Sequence, residues 1–193
     1  SSLHELKESQ NPEFAVFSQK ELFTNDKNSI KHEIEKQFDA CEKNNYKMIT
    51  YWDENYPKLL KEITHPPVIL FVLGDLQQPD AASISIVGTR RCTTYGRLSA
   101  ERFSGYFARN NIVVCSGLAY GIDTIAHRSA IKAGGITYAV IASGLDCISP
   151  STSKQLSEKI LEEGGAIISE YRCSVKARPG YFPQRNRIIS GIS

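Results

Sequence analysis

An α/β fold is predicted for this chain, with a Rossmann-like, mostly parallel sheet and helices on both faces, and three observations predict it. Short apolar runs at 83–87, 112–115, 136–142 and 166–169 alternate with helical stretches at about 95–109, 122–133 and 150–163, the pattern of right-handed β-α-β units. Apolar residues make up 41% and charged residues 23% of the 193, enough to build a core and keep it dissolved. Polar or glycine-bearing turns follow each run: Gly88-Thr89-Arg90, Ser116-Gly117, Ser143-Gly144 and Glu170. In a parallel sheet these turns converge on one edge, where ligands bind.

The elements read as follows. Residues 1–28 are polar with scattered aromatics (Phe14, Phe17, Phe23) and suggest short helical pieces. From Ser29, Ile30, Ile34, Phe38 and Cys41 recur at helical spacing, giving a helical segment over 1–45 ahead of a larger domain over 46–193. A strand at 47–51 and a Pro57-initiated helix lead to His65-Pro66-Pro67, an apolar strand at 68–73 and a turn at Gln77-Gln78-Pro79-Asp80. The helix at 122–133 carries Ile122, Ile125, Ala126, Ser129, Ala130 and Ala133 on one face, a small-residue stripe suited to close packing on the sheet. After residue 169 comes a long basic loop, and a further helix begins near Asn186. Four parallel strands and an unfinished crossover would leave an open edge and an uncovered face, so the sheet is expected to be incomplete on its C-terminal side.

No apolar run approaches the ~20 residues that span a bilayer, and no signal-peptide pattern opens the chain, which argues for a cytoplasmic protein without a membrane partner. The single methionine, Met48, makes the chain read as a trimmed piece. Five widely spaced cysteines without a C-x-x-C argue for reduced thiols over zinc or disulfides. Residues 1–83 hold 9 Lys/Arg against 14 Asp/Glu, whereas residues 84–193 hold 14 against 7, and every arginine lies at or after Arg90. The second part is the candidate partner of a polyanion.

The strand-to-turn passage Ile86-Val87-Gly88-Thr89-Arg90-Arg91 is expected to bind phosphate. Glycine allows close approach, Thr89 adds a hydroxyl, Arg90 and Arg91 add donor forks, and backbone N–H groups at a helix start add to them. The dinucleotide and Walker fingerprints are absent. Between Arg172 and Arg187 stand Arg172, Lys176, Arg178, Arg185 and Arg187 without an acid, interleaved with Tyr181 and Phe182 on a loop stiffened by Pro179 and Pro183. Cations among aromatics suit a strand whose bases are free to stack. Asp123 and His127, four apart on one helix, read as a dipole-complementing acid with a histidine partner; no catalytic constellation and no cofactor or metal site emerges.

Taken in order, Val87-Gly88-Thr89-Arg90-Arg91, Ser116-Gly117-Leu118-Ala119-Tyr120-Gly121-Ile122-Asp123 with Ala126-His127-Arg128, Gly144-Leu145-Asp146, Ser169-Glu170 and Phe182-Pro183-Gln184-Arg185-Asn186-Arg187 closely resemble the DNA processing protein A (DprA/Smf) family. With Tyr56-Pro57, Leu59-Leu60 and Pro66-Pro67, the resemblance covers most of 51–193. It implies a non-enzymatic single-stranded DNA binder that protects incoming DNA and helps load the RecA recombinase in natural transformation. It also implies nucleic-acid contacts from Gly88, Thr89, Arg90, Arg91, Ser116, Gly117, Phe182, Arg185 and Asn186. Homodimerisation and the RecA contact are associated with a portion that follows in longer family members. Ser149-Pro150 departs from the Tyr-Pro common in the family, and Ser149 reads as the cap of a helix from Pro150. Two other readings stand beside this one: a nucleoside-monophosphate phosphoribohydrolase on a related fold, whose Pro-Gly-Gly-x-Gly-Thr hallmark is missing, and a small nucleotide sensor.

Overall fold

A computed structural model describes residues 27–76 and 81–193; the expectations for residues 1–26 and for the 77–80 turn lie outside the described residues. The elements run α1 (Lys27–Asn44), β1 (Lys47–Thr50), α2 (Lys58–Lys61), β2 (Ile69–Gly74), β3 (Ser83–Ser85), α3 (Thr94–Arg109), β4 (Val113–Ser116), α4 (Ile122–Lys132), β5 (Thr137–Ile141), α5 (Lys154–Glu162), β6 (Ala166–Ser169) and α6 (Tyr181–Ile192). One six-stranded sheet has the order β1-β2-β6-β5-β4-β3. β3, β4, β5 and β6 are parallel, and β2 and β1 extend them in antiparallel fashion. β4, β5 and β6 are buried along their whole length, as central strands covered on both faces must be.

One face of the sheet packs Tyr56, Leu60, Leu70, Val72, Val140 and Ile168 against Ile188, Ile189 and Ile192 of α6. On the other, Cys41 of α1 and Leu156 and Ile160 of α5 meet Phe71, Ile141 and Ile167, while Ala108, Ala126 and Ala130 pack on Val114. The small-residue stripe of α4 thus does what its composition predicts. A side chain at Gly135 would strike Ala108, so small residues set the closeness of this layer.

Four expectations change. The face thought uncovered is occupied by α6, which is tied to edge strand β3 by Ser83 Oγ donating to Ile192 O (2.7 Å) and Ser85 Oγ to Ile189 O (2.6 Å). The apolar periodicity of α1 does not make a buried face: Ile34 and Phe38 are exposed, and only its end, at Cys41, enters the core. The helix read from Pro150 starts at Lys154 after a 3-10 turn at Ser151–Ser153, so Ser149 caps nothing there. The basic loop is shorter than it reads, because α6 begins at Tyr181 and includes Phe182 to Arg187. Pro183 is third in that helix, where its missing N–H has no intrahelical acceptor to lose.

Candidate nucleic-acid interface

The parallel strands deliver their carboxyl-end turns to one edge, and α6 starts there. The Gly88 turn is seated on α4: Ile122 N–H donates to Thr89 O (3.3 Å), and a Cβ at Gly121 would lie 2.3 Å from that same carbonyl oxygen. Gly121, at φ +78°, therefore accommodates both the left-handed backbone and the approach of the turn. Gly88 is equally constrained, since a side chain there would overlap Ile122.

β3 ends at Ser85 and α3 starts at Thr94, capped by Thr93 Oγ1 accepting from Gly96 N–H (3.1 Å). Ile122 lies between the two, within reach of a Cβ placed at Gly88 or at Gly96. Arg91 N–H donates to Thr89 Oγ1 (3.2 Å). The carboxylate of Asp123 accepts from Ala119 N–H (3.4 Å), and the amides of Gly88 and Gly117 nearby favour its charged form. Toward solvent the turn presents side chains: Thr89, Arg90 and Arg91 are all exposed.

Arg90 and Phe182 come together across the fold, with the guanidinium carbon 5.0 Å from the ring centroid. Phe182 is half-buried in the first turn of α6, with Asn186 exposed one turn on. Beside it Tyr181 stacks on Tyr171 (4.4 Å between centroids, 23° between planes), and Arg178 lies 5.9 Å over the Tyr181 ring. Planar cations and aromatic rings are therefore interleaved at this edge, the combination on which unpaired bases stack.

Beneath this layer Arg185 and Ser116 find backbone partners, whereas the buried Ser143 hydroxyl has none among the described residues. Arg185 is 3% exposed; its guanidinium donates to Gly117 O (2.6 Å) and to Val140 O, and its Nε to Asn186 Oδ1 (3.3 Å). A Cβ at Gly117 would lie 2.5 Å from that guanidinium, so a side chain there would displace Arg185. Ser116 is buried, and its hydroxyl donates to Ile86 O (2.6 Å). Ser116, Gly117 and Arg185 are thus buried beneath the exposed layer of this edge, whereas their sequence pattern suggests direct contacts.

Asp123 and His127 do not pair with each other through a hydrogen bond. Leu118 N–H donates to His127 Nε2 (3.3 Å), so Nδ1 carries the proton and donates to Thr137 Oγ1 (2.7 Å), whose hydroxyl donates to Val114 O (2.5 Å). Burial, with the Arg185 charge adding to it, pushes the His127 pKa down to about 3, and the imidazole is neutral. Burial raises the Asp123 pKa while Arg185 opposes that shift. At the end of β6, Glu170 accepts from Arg187 (2.6 Å). Arg172 pairs with Glu33 of α1 (3.2 Å), so much of the basic stretch is engaged in holding the fold. Among the described residues no group of three or more His, Cys, Asp or Glu could hold a metal ion, and no helix is long and apolar enough to cross a membrane.

Sequence reasoning singled out Arg90 and Phe182 separately but not their contact, and it missed that the Asp123 carboxylate lies near the Gly88 and Gly117 amides. The only signal for Asp123 was its place in the first turn of α4, which is equally explained by the helix dipole.

The architecture and this edge define a class: a Rossmann-like α/β protein presenting arginines and aromatics at the carboxyl ends of its strands. Residues 47–193 match the family model for DNA recombination-mediator protein A, and the chain belongs to that family. It is 42% identical over 153 residues to protein Smf of Synechocystis sp., covering 77% of this chain but 38% of that protein. Its fold is similar to that of DNA processing protein A from Streptococcus pneumoniae (TM-score 0.71, 36% identity, 80% of this chain and 55% of that one). It is also similar to DNA processing protein A from Helicobacter pylori, a structure concerned with that protein's single-stranded DNA binding mode (TM-score 0.68, 31% identity, 77% and 66%). The chain thus spans well under half the length of its Synechocystis relative.

Proposed function

We propose that this chain binds single-stranded DNA along the carboxyl edge of its sheet, without a catalytic step. Arg90, with Thr89 and Arg91, neutralises backbone phosphates; Phe182 offers its ring to an unpaired base; Asn186 adds an exposed carboxamide at the α6 end of the track. Gly88, Gly117, Ser116, Asp123 and Arg185 hold these groups in place. The observation that carries this reading is the Arg90–Phe182 contact: a guanidinium free to turn its N–H edges to phosphate lies against an aromatic face that a base can share. The Helicobacter pylori neighbour, with its single-stranded DNA binding mode, supports it. In the longer protein we assign the bound strand to the loading of RecA, with self-association as a homodimer, in the cytoplasm.

Fluorescence anisotropy with oligothymidylates of increasing length, beside AMP and a duplex, tests this. Affinity is expected to rise with length until the footprint is filled, and to exceed that for duplex. A phosphoribohydrolase or nucleotide sensor would instead bind AMP as well as any oligonucleotide.

A further inference from the structure

The sheet edge that holds Arg90 does not end at β6. Because β2 and β1 are antiparallel extensions, with Phe71 opposite Ser169 and Thr50 opposite Ile69, the end of β1 emerges at the same edge as the turns after β3 to β6. Tyr51 and Trp52 follow Thr50 directly, five strand spacings from β3, about 24 Å along the edge. Trp52 is 76% exposed, an unusual position for an indole.

Its mount is rigid. Tyr51 N–H donates to Val68 O (2.9 Å), Trp52 and Tyr51 meet edge to face (5.8 Å, 80°), and Tyr51 packs on Tyr56 (5.6 Å). Tyr56 is fully buried, its hydroxyl donating to Pro67 O (2.7 Å). Exposed Val68 and Ile69 are next to Tyr51 and Thr50 in the register. Lys61 Nζ lies 5.1 Å from the Tyr51 ring, bringing a cation to the group. Of the neighbouring acids, Asp53 is turned back on its own strand, accepting from Thr50 N–H (2.7 Å). Between this group and Phe182 lies the Tyr171–Tyr181 stack, so aromatic rings recur across the whole edge.

We propose that the single-stranded DNA track continues past Tyr171 to a second stacking platform at Trp52, which takes a base several nucleotides away from the phosphate held at Arg90. This rests on the reading of the edge as a single-strand site. It assigns β1 and β2 a binding role in addition to closing the sheet.

Trp52 is the only tryptophan, so its fluorescence reports on the platform alone. Titration with an oligothymidylate of about twenty nucleotides is expected to quench it saturably, whereas one of about three, too short to span the roughly 24 Å from Arg90, leaves it nearly unchanged. Trp52→Ala should lose on the order of ten-fold in affinity for the long oligonucleotide and little for the short one, with Trp52→Phe retaining most of it. Unchanged fluorescence while anisotropy reports long-strand binding would overturn the platform, as would wild-type affinity of Trp52→Ala at both lengths. If neither length binds the unsubstituted protein, the single-strand reading of the whole edge falls with it.

Discussion

Arg90 and Arg185 belong to one cluster, close enough for the charge of Arg90 to bear on Arg185, yet they are put to opposite uses. Arg90 is exposed and rests on an aromatic face; Arg185 is buried and donates to two backbone carbonyls. The difference lies in what surrounds each guanidinium. Arg185 enters from α6 between the ends of β4 and β5, where unpaired carbonyls and the Asp123 charge compensate its desolvation. Arg90 stands on an exposed turn, where Arg91 N–H is taken up by Thr89 Oγ1 and the Arg90 guanidinium lies toward solvent. Cationic composition marks one half of the chain, but only burial separates the arginine that is exposed from the one that braces the fold.

The largest expected effect tests the bracing side. Arg185→Ala leaves the Gly117 and Val140 carbonyls and a buried Asp123 carboxylate without their counter-group, and should cost about 3–5 kcal/mol of stability. Arg185→Lys should recover only part, since one ammonium cannot reproduce the fork. Urea denaturation measures both, and a loss below about 1 kcal/mol would remove Arg185 from the frame.

A second test uses pH. His127 stays neutral in the folded protein down to about pH 3, whereas in the unfolded chain it protonates below about 6.5. The unfolded state therefore binds the extra proton, so stability is whole above about pH 6.5 and falls as pH drops, by about 1.4 kcal/mol per unit. At the acid end Asp123 runs the other way, because its raised folded pKa makes the folded state take up a proton first. Stability that stayed flat between about pH 6 and 5 would mean that the imidazole titrates freely and that the Leu118–His127–Thr137 chain is not closed.

On the gripping side, Phe182→Ala should cost about 1–3 kcal/mol of single-strand affinity, and Phe182→Tyr should keep most of it. Phe182→Leu is the sharper variant. A ring that only fills space is replaced by leucine with affinity intact, whereas a stacking ring is lost while stability holds.

How far the sequence reaches follows from the range of the interactions involved. Strand β6 and helix α4 are legible to within a residue, the first as a short apolar run buried on both faces and the second because its small and apolar residues recur on one buried face. The periodicity of α1 misleads, since Ile34 and Phe38 repeat at helical spacing without meeting a partner. The start of α6 was hidden by Pro179, Gly180 and Pro183, residues that end helices more often than they open them. The glycine and paired arginines of the Gly88 turn suggest phosphate, but they do not reveal that a carboxylate lies beside it: Asp123 comes from another element and is brought there by the packing of α4. Ser116 is alike in this: a serine after a strand looks available in the sequence, and the structure places Ile86 O beside it.

The central claim is that the exposed Arg90, and not the buried layer, grips phosphate. The salt dependence of oligothymidylate affinity, measured for the parent and Arg90→Ala, tests it most directly. The account predicts a linear log-log fall with salt whose slope is smaller by roughly 0.7 in Arg90→Ala, the share of one phosphate, with weaker affinity on every sequence and unfolding unchanged to about 0.5 kcal/mol. An Arg90→Ala protein that bound as tightly as its parent, with the same salt slope, would contradict it.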